Sequence, residues 1–154
     1  MSLIVVVIVL TATLSASVQP ISSVTLERKA CHGTCPVYRI RINRNGDVKY
    51  IGDGFVKETG VRVAHIQPHQ FDELAAKAKQ IRFFELEDSY SSIKIEDWFV
   101  TATDLPTTIV TVSGGGKTKR VRDYPGAPKG LYEFEQRIER ITNSERWTGR
   151  KDEL

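Results

Sequence analysis

The stretch VYRIRINRNGDVKYIG, residues 37–52, limits the possible folds more than any other part of the chain. Tyr38, Ile40 and Ile42 point one way, and Arg39 and Arg41 point the other. A period of two marks a strand with one buried face and one wet face. The RNGD in the middle turns the chain back on itself. Two registers are available. A two-residue Asn45-Gly46 turn sets Ile42 opposite Lys49, which mixes core with solvent. A three-residue loop, Arg44-Asn45-Gly46 with Gly46 left-handed, sets Ile42 opposite Val48 and Ile40 opposite Tyr50. A slip of one residue flips every side chain, so the apolar pattern selects the second register.

The flanking segments extend this sheet. VTLER (residues 24–28) alternates in the same way, and a further strand is expected through Phe55 and Val56, turning near Thr59-Gly60 and returning through Val61–Ile66. Pro68 then opens a helix, because proline fits the first helical position, where an N–H would be unpaired anyway. Phe71, Leu74, Ala75, Ala78 and Ile81 recur at helical spacing, with Glu73 and Lys77 as an i,i+4 pair on the wet side. Residues 87–105 read as a long polar loop interrupted by Trp98-Phe99. TTIVTV, SGGGK and TKRVRDY make a strand, a turn and a strand. GAPKG leads into a second helix with Leu131, Phe134, Ile138 and Ile141 on one face. The expected fold is α+β: an antiparallel sheet of about six strands with two helices packed on one face, in the order ββββ-α-ββ-α.

The ends point to a compartment. Residues 1–20 carry no charged side chain, and the apolar run Leu3–Leu10 is followed by the small residues Ser15-Ala16-Ser17. The run is shorter than the roughly 20 apolar residues of a membrane span. Residues 1–17 are therefore read as an export signal, with an uncleaved anchor as the alternative. Residues 18–149 form the expected single domain, and 150–154 a polar tail. Exported means periplasmic or extracellular. The tail ends in Lys151-Asp152-Glu153-Leu154, so retention in the endoplasmic reticulum lumen is the alternative in a eukaryotic host. With the signal removed, no stable membrane span is expected. A net charge of +3 falls short of the dense positive patch of a nucleic-acid binder, so no nucleic acid is expected as partner.

Cys31 and Cys35 are the two cysteines of the chain. Their C-x3-C spacing is not that of a thioredoxin-like centre, and no βαβ unit surrounds it. A metal would need two more ligands; His32 is too close in sequence, and His65 and His69 are separated by a strand-to-helix boundary. A structural disulfide is the preferred reading, in keeping with export. Closing so short a loop contributes roughly 2 kcal/mol in the chain-entropy model. GGGKT (Gly114–Thr118) leads into a strand rather than a helix, so it is a hairpin turn and not a phosphate loop. Arg39, Arg41 and Lys49 share one face, and Lys117, Lys119, Arg120 and Arg122 one ribbon; they suggest either an anionic polymer as partner or a solvated sheet face. No carboxylates stand out as a matched catalytic pair, and no cofactor or metal is expected.

CHGTCPVYRIRINRNGDVKYIG resembles a bacterial family, domain of unknown function 6438. The matching residues are Cys31, Gly33, Cys35, Pro36, Tyr38, Gly46, Tyr50 and Gly52. TDLPT (Thr103–Thr107) and DYPGAP (Asp123–Pro128) are similar to its second and third signatures, and ERWTG to a further one. The segment SSIKIEDWFVTA before TDLPT looks longer than the family's connection. The resemblance implies a small, frequently exported domain and transfers no activity. If its signatures converge at one end of the sheet, then His32, Tyr38, Asp104 and Tyr124 are candidate binding residues. Turn chemistry is the other reading for Asp104 and Tyr124. The function expected is a non-catalytic binding or envelope-associated module for an unknown ligand or protein. A thiol-redox or hydrolytic enzyme centred on the CxGxCP loop is the first alternative, and a binder of anionic polymers the second.

Overall fold

Residues 20–95, 98–100 and 105–149 are described by the structure, a computed structural model. The expected export signal, the KDEL tail and Asp104 lie outside the described residues.

Four strands come first: β1 (Ile21–Arg28), β2 (Val37–Asn43), β3 (Asp47–Gly54) and β4 (Gly60–His65). Helix α1 (Pro68–Gln80) follows, then the short strands β5 (Ile93–Ile95) and β6 (Trp98–Val100). Strands β7 (Thr108–Gly114) and β8 (Lys117–Asp123) precede α2 (Lys129–Thr142) and the single-turn α3 (Glu145–Thr148). The main sheet has six strands in the order β4-β3-β2-β1-β7-β8, and every neighbour is antiparallel. β5 and β6 pair separately.

The alternation seen in the sequence sets this arrangement. In the β2–β3 hairpin Ile42 faces Val48 and Ile40 faces Tyr50. Gly46 carries φ +93°, and a Cβ there would lie 2.3 Å from the Ile66 carbonyl oxygen, so only glycine fits the turn. Val24, Leu26, Ile40, Ile42, Val110, Val112 and Val121 send fully buried side chains to one face. Phe71, Leu74 and Ala78 of α1 and Leu131, Phe134 and Ile138 of α2 cover it. α1 begins at Pro68 as expected, with Gln70 accepting from the Gln67 N–H at 2.9 Å. α2 ends at Asn143 in the left-handed conformation common at helix C-termini.

Three expectations need correction. Phe55 and Val56 are not in a strand; they lie in the connection between β3 and β4, where Phe55 is exposed with φ +52°. Contacts with α3 shape that connection: Lys57 and Glu58 donate their N–H groups to the carbonyls of Thr148 and Trp147. Trp147 in turn stacks on Tyr50 with ring centroids 5.0 Å apart. Glu73 and Lys77 do not pair with each other; Lys77 reaches Glu133 at 2.8 Å and Glu73 meets Arg137 at 3.2 Å, so both ties run between the helices. Finally, the polar stretch 87–105 contains the β5–β6 hairpin, and its Asp88–Tyr90 portion hydrogen-bonds to Arg122 on the outer edge of β8. Covering an edge in this way removes a site for intermolecular strand pairing.

Phe134 is fully buried between helix and sheet, and Val63 is exposed on the uncovered side. Phe134→Ala is expected to lower unfolding free energy in urea by about 3–5 kcal/mol, and Val63→Ala to change it by no more than about 0.5 kcal/mol.

Candidate functional site

At one end of the sheet the core-facing positions turn polar. Tyr38 of β2, Arg28 of β1, Thr108 of β7 and Asp123 of β8 are successive cross-strand neighbours. In each strand the alternation that buries Val24 and Leu26, Ile40 and Ile42, Val110 and Val112, or Val121 brings these residues to the same face. Above this row runs α2, which lowers Glu135 and Glu139, one turn apart, onto it.

Arg28 joins the two layers. Its Nη1 donates to Glu135 Oε2 at 3.1 Å and to the Thr108 hydroxyl, and its Nε donates to Glu139 Oε1 at 3.0 Å. The Tyr38 hydroxyl donates to the same Glu139 oxygen. Burial works against the Arg28 charge, but Glu139 and Glu135 outweigh it and hold its pKa above the ordinary value. Burial, reinforced by Glu139, raises the Tyr38 hydroxyl, which stays a donor.

Glu135 differs from its neighbours. Its side chain is 1% exposed, and Oε1, the oxygen that Arg28 does not reach, has no donor. Asp123 lies within hydrogen-bonding reach on the sheet side. Two ionised carboxylates supply no donor to each other, so the contact requires a proton. Burial, strengthened by Asp123 and Glu139, pushes Glu135 up from 4.5 to about 9 against the pull of Arg28. Burial raises Asp123 as well, while its hydrogen bond with Glu135 and the Arg28 charge oppose that rise. Burial of both carboxyls thus favours retention of one proton by the Asp123–Glu135 pair at neutral pH, shared between them.

These groups form the floor of an open cavity of about 750 Å³. Its rim is the loop from Cys31 to Pro36, the segment Leu105-Pro106, and the run Tyr124–Pro128. Residues from all three signature stretches thus meet here. His32, Tyr38 and Tyr124 line the cavity, Tyr38 through its hydroxyl at the floor, since its ring is buried in the core. Tyr124 accepts a hydrogen bond from the Leu105 N–H at 3.3 Å, which ties two rim segments together. Gly126, at φ +101°, approaches Ser92 so closely that a Cβ would lie 2.0 Å from its carbonyl oxygen. Cys31 and Cys35 are paired with their α-carbons 5.7 Å apart, which closes the loop at the mouth. Among the described residues no group of three His, Cys, Asp or Glu side chains converges as a metal site.

Arg28, Asp123, Glu135 and Glu139 were not expected from the sequence. The signal was present in their register: Arg28 follows Val24 and Leu26 at the strand period, and Glu135 falls between Leu131 and Ile138 on the buried helical stripe. A charge at a core position is the unusual observation that marks such residues.

The model of a family described as Domain of unknown function (DUF6438) matches residues 22–142. No curated protein matches the chain.

Glu135 makes stability depend on pH. Between about pH 5 and 9 the unfolded chain has released the Glu135 proton and the folded chain has kept it, so stability falls as pH rises through this window and levels off above it. Thermal melts of wild type and Glu135→Gln should diverge in favour of the variant across that range. Separately, Cys31→Ser with Cys35→Ser is expected to lose about 2 kcal/mol of stability by urea titration.

Proposed function

We propose that this chain, which belongs to the family described as Domain of unknown function (DUF6438), is an exported, non-catalytic module that binds a small polar ligand in the cavity beside the Cys31–Cys35 loop. The observation that carries this reading is the convergence of residues from three separate signature stretches around one concave, partly apolar space with a polar floor. His32 and Tyr124 form its rim, the Tyr38 hydroxyl belongs to its floor, and the disulfide holds the loop between Arg28 and Tyr38 in shape. The Cys31–Cys35 disulfide supports the exported part of this reading, because an oxidising compartment preserves paired cysteines. No helix among the described residues is long and apolar enough to cross a membrane.

The redox alternative requires a cycling pair, and the two are told apart by thiol labelling. A staple has a reduction potential below about −300 mV and resists the glutathione pool, whereas a redox pair is reduced and reoxidised by it readily in the native state. The anionic-polymer alternative would use the uncovered sheet face, but there Glu27 already meets Lys29 at 2.7 Å and Arg39 at 3.0 Å.

The binding reading is tested by filling the cavity. Gln136 lines it from the half-exposed side of α2. Ligands found by NMR screening of the oxidised protein should shift resonances of Tyr124 and Tyr132 and bind Gln136→Trp at least tenfold more weakly, about 1.4 kcal/mol. Unchanged affinity in a folded Gln136→Trp protein would remove the cavity as the site.

A further inference from the structure

The charges on the cavity floor do not balance. One guanidinium, Arg28 from β1, stands against three carboxyl groups: Asp123 from β8 and Glu135 and Glu139 from α2. The Tyr38 hydroxyl from β2 is neutral and spent on Glu139. Lys29 lines the same cavity, but its ammonium is 2.7 Å from Glu27 on the uncovered face. His32, Tyr124 and Tyr132 are the other titratable side chains that line it. Even with one proton on the Asp123–Glu135 pair, the floor keeps a surplus negative charge. Burying such a surplus is costly unless something compensates it. The buried Glu135 Oε1, to which no other protein group donates, marks where a donor from a ligand would replace that proton.

We infer that the cavity takes the head of an organic cation, a primary ammonium or a guanidinium, which donates to Asp123 and Glu135 in place of the proton they otherwise share. This rests on the binding reading of the same cavity and names its ligand class. A donor cation satisfies both carboxylates and, replacing one proton by one positive charge, leaves the floor's net charge where it was. The displaced proton passes to solvent, one for each cation bound. A metal ion fits less well, since no three ligating side chains converge among the described residues. Tyr124 and Tyr132 at the mouth offer rings to the apolar stem that carries the cation.

The exchange of cation for proton has a thermodynamic signature. Simple alkylamines stay cationic up to about pH 10, as lysine does. Below the pKa of the carboxyl pair, affinity must rise roughly tenfold per pH unit if one proton leaves on binding. The experiment titrates the oxidised protein with n-butylamine and agmatine at pH 6, 7 and 8 by calorimetry, in two buffers of different ionisation enthalpy. Glucose and glycerol serve as neutral probes. The expected result is amine binding that strengthens roughly tenfold per unit, with about one proton released. Glu135→Gln should bind amines weakly and with no pH slope, because the amide keeps the pair from becoming doubly charged. His32→Gln should keep the full slope, which separates the pair from the rim histidine. A flat pH profile in wild type, or a full slope in folded Glu135→Gln, overturns the inference. Polyol binding without amine binding also overturns it and leaves the cavity as a ligand site. If neither class binds at millimolar concentration, the ligand class and the binding reading both fall.

Discussion

The contact between Arg28 and the two glutamates of α2 is the one on which the site depends. Arg28 ends the central strand, with β2 on one side and β7 on the other. Its guanidinium reaches across the layer boundary to Glu135 and Glu139 and sideways to Thr108. An apolar contact between sheet and helix tolerates sliding; a guanidinium bonded to carboxylates on successive helical turns does not. The rotation of α2 about its axis, and therefore which residues face the cavity, is fixed at this point. Removing one partner of such a buried pair strands the other's charge, typically at about 3–5 kcal/mol.

The rest of the site follows from how that end of the sheet is finished. Beyond Arg28 the chain must cross from β1 to β2 while leaving room above the polar row. The Cys31–Cys35 pair makes that crossing compact without a hydrophobic plug. On the other side, β8 leaves Asp123 on the floor and passes at once into Tyr124–Pro128, whose glycine permits the close approach to Ser92. Two loops and a helix thus enclose a space that the core side chains do not fill.

Local periodicity made the fold legible and left the site largely unread. The β2–β3 register followed from alternation alone, because one face had to be apolar. The start of α1 followed from Pro68, and the α2 face from Leu131, Phe134 and Ile138. Where structure depends on distant partners, the sequence misled. Phe55 and Val56 looked like a strand, but α3 docks against that connection. Glu73 and Lys77 looked like partners, but a second helix offered each a different one. His32, Tyr38 and Tyr124 were singled out through the signature stretches they belong to, and these stretches meet at the cavity. Arg28, Asp123 and Glu135 obeyed the core pattern in position and violated it in chemistry, and reading charge as solvated passed over them.

That violation bears on function. A glutamate at 1% exposure, with one oxygen lacking a donor, is less favourable than a leucine or methionine of similar volume at the same helical position. Arg28 accounts for Glu139 and for half of Glu135; it does not account for Oε1 or for Asp123. A purely structural ion pair would end with the charges matched, and here they are not. Proteins retain local conflicts of this kind mainly where a site needs them. The unmatched carboxyl belongs to a residue that lines an open cavity rather than closed core. Burial raises the cost of leaving the pair uncompensated, and the same burial strengthens its attraction for whatever completes it.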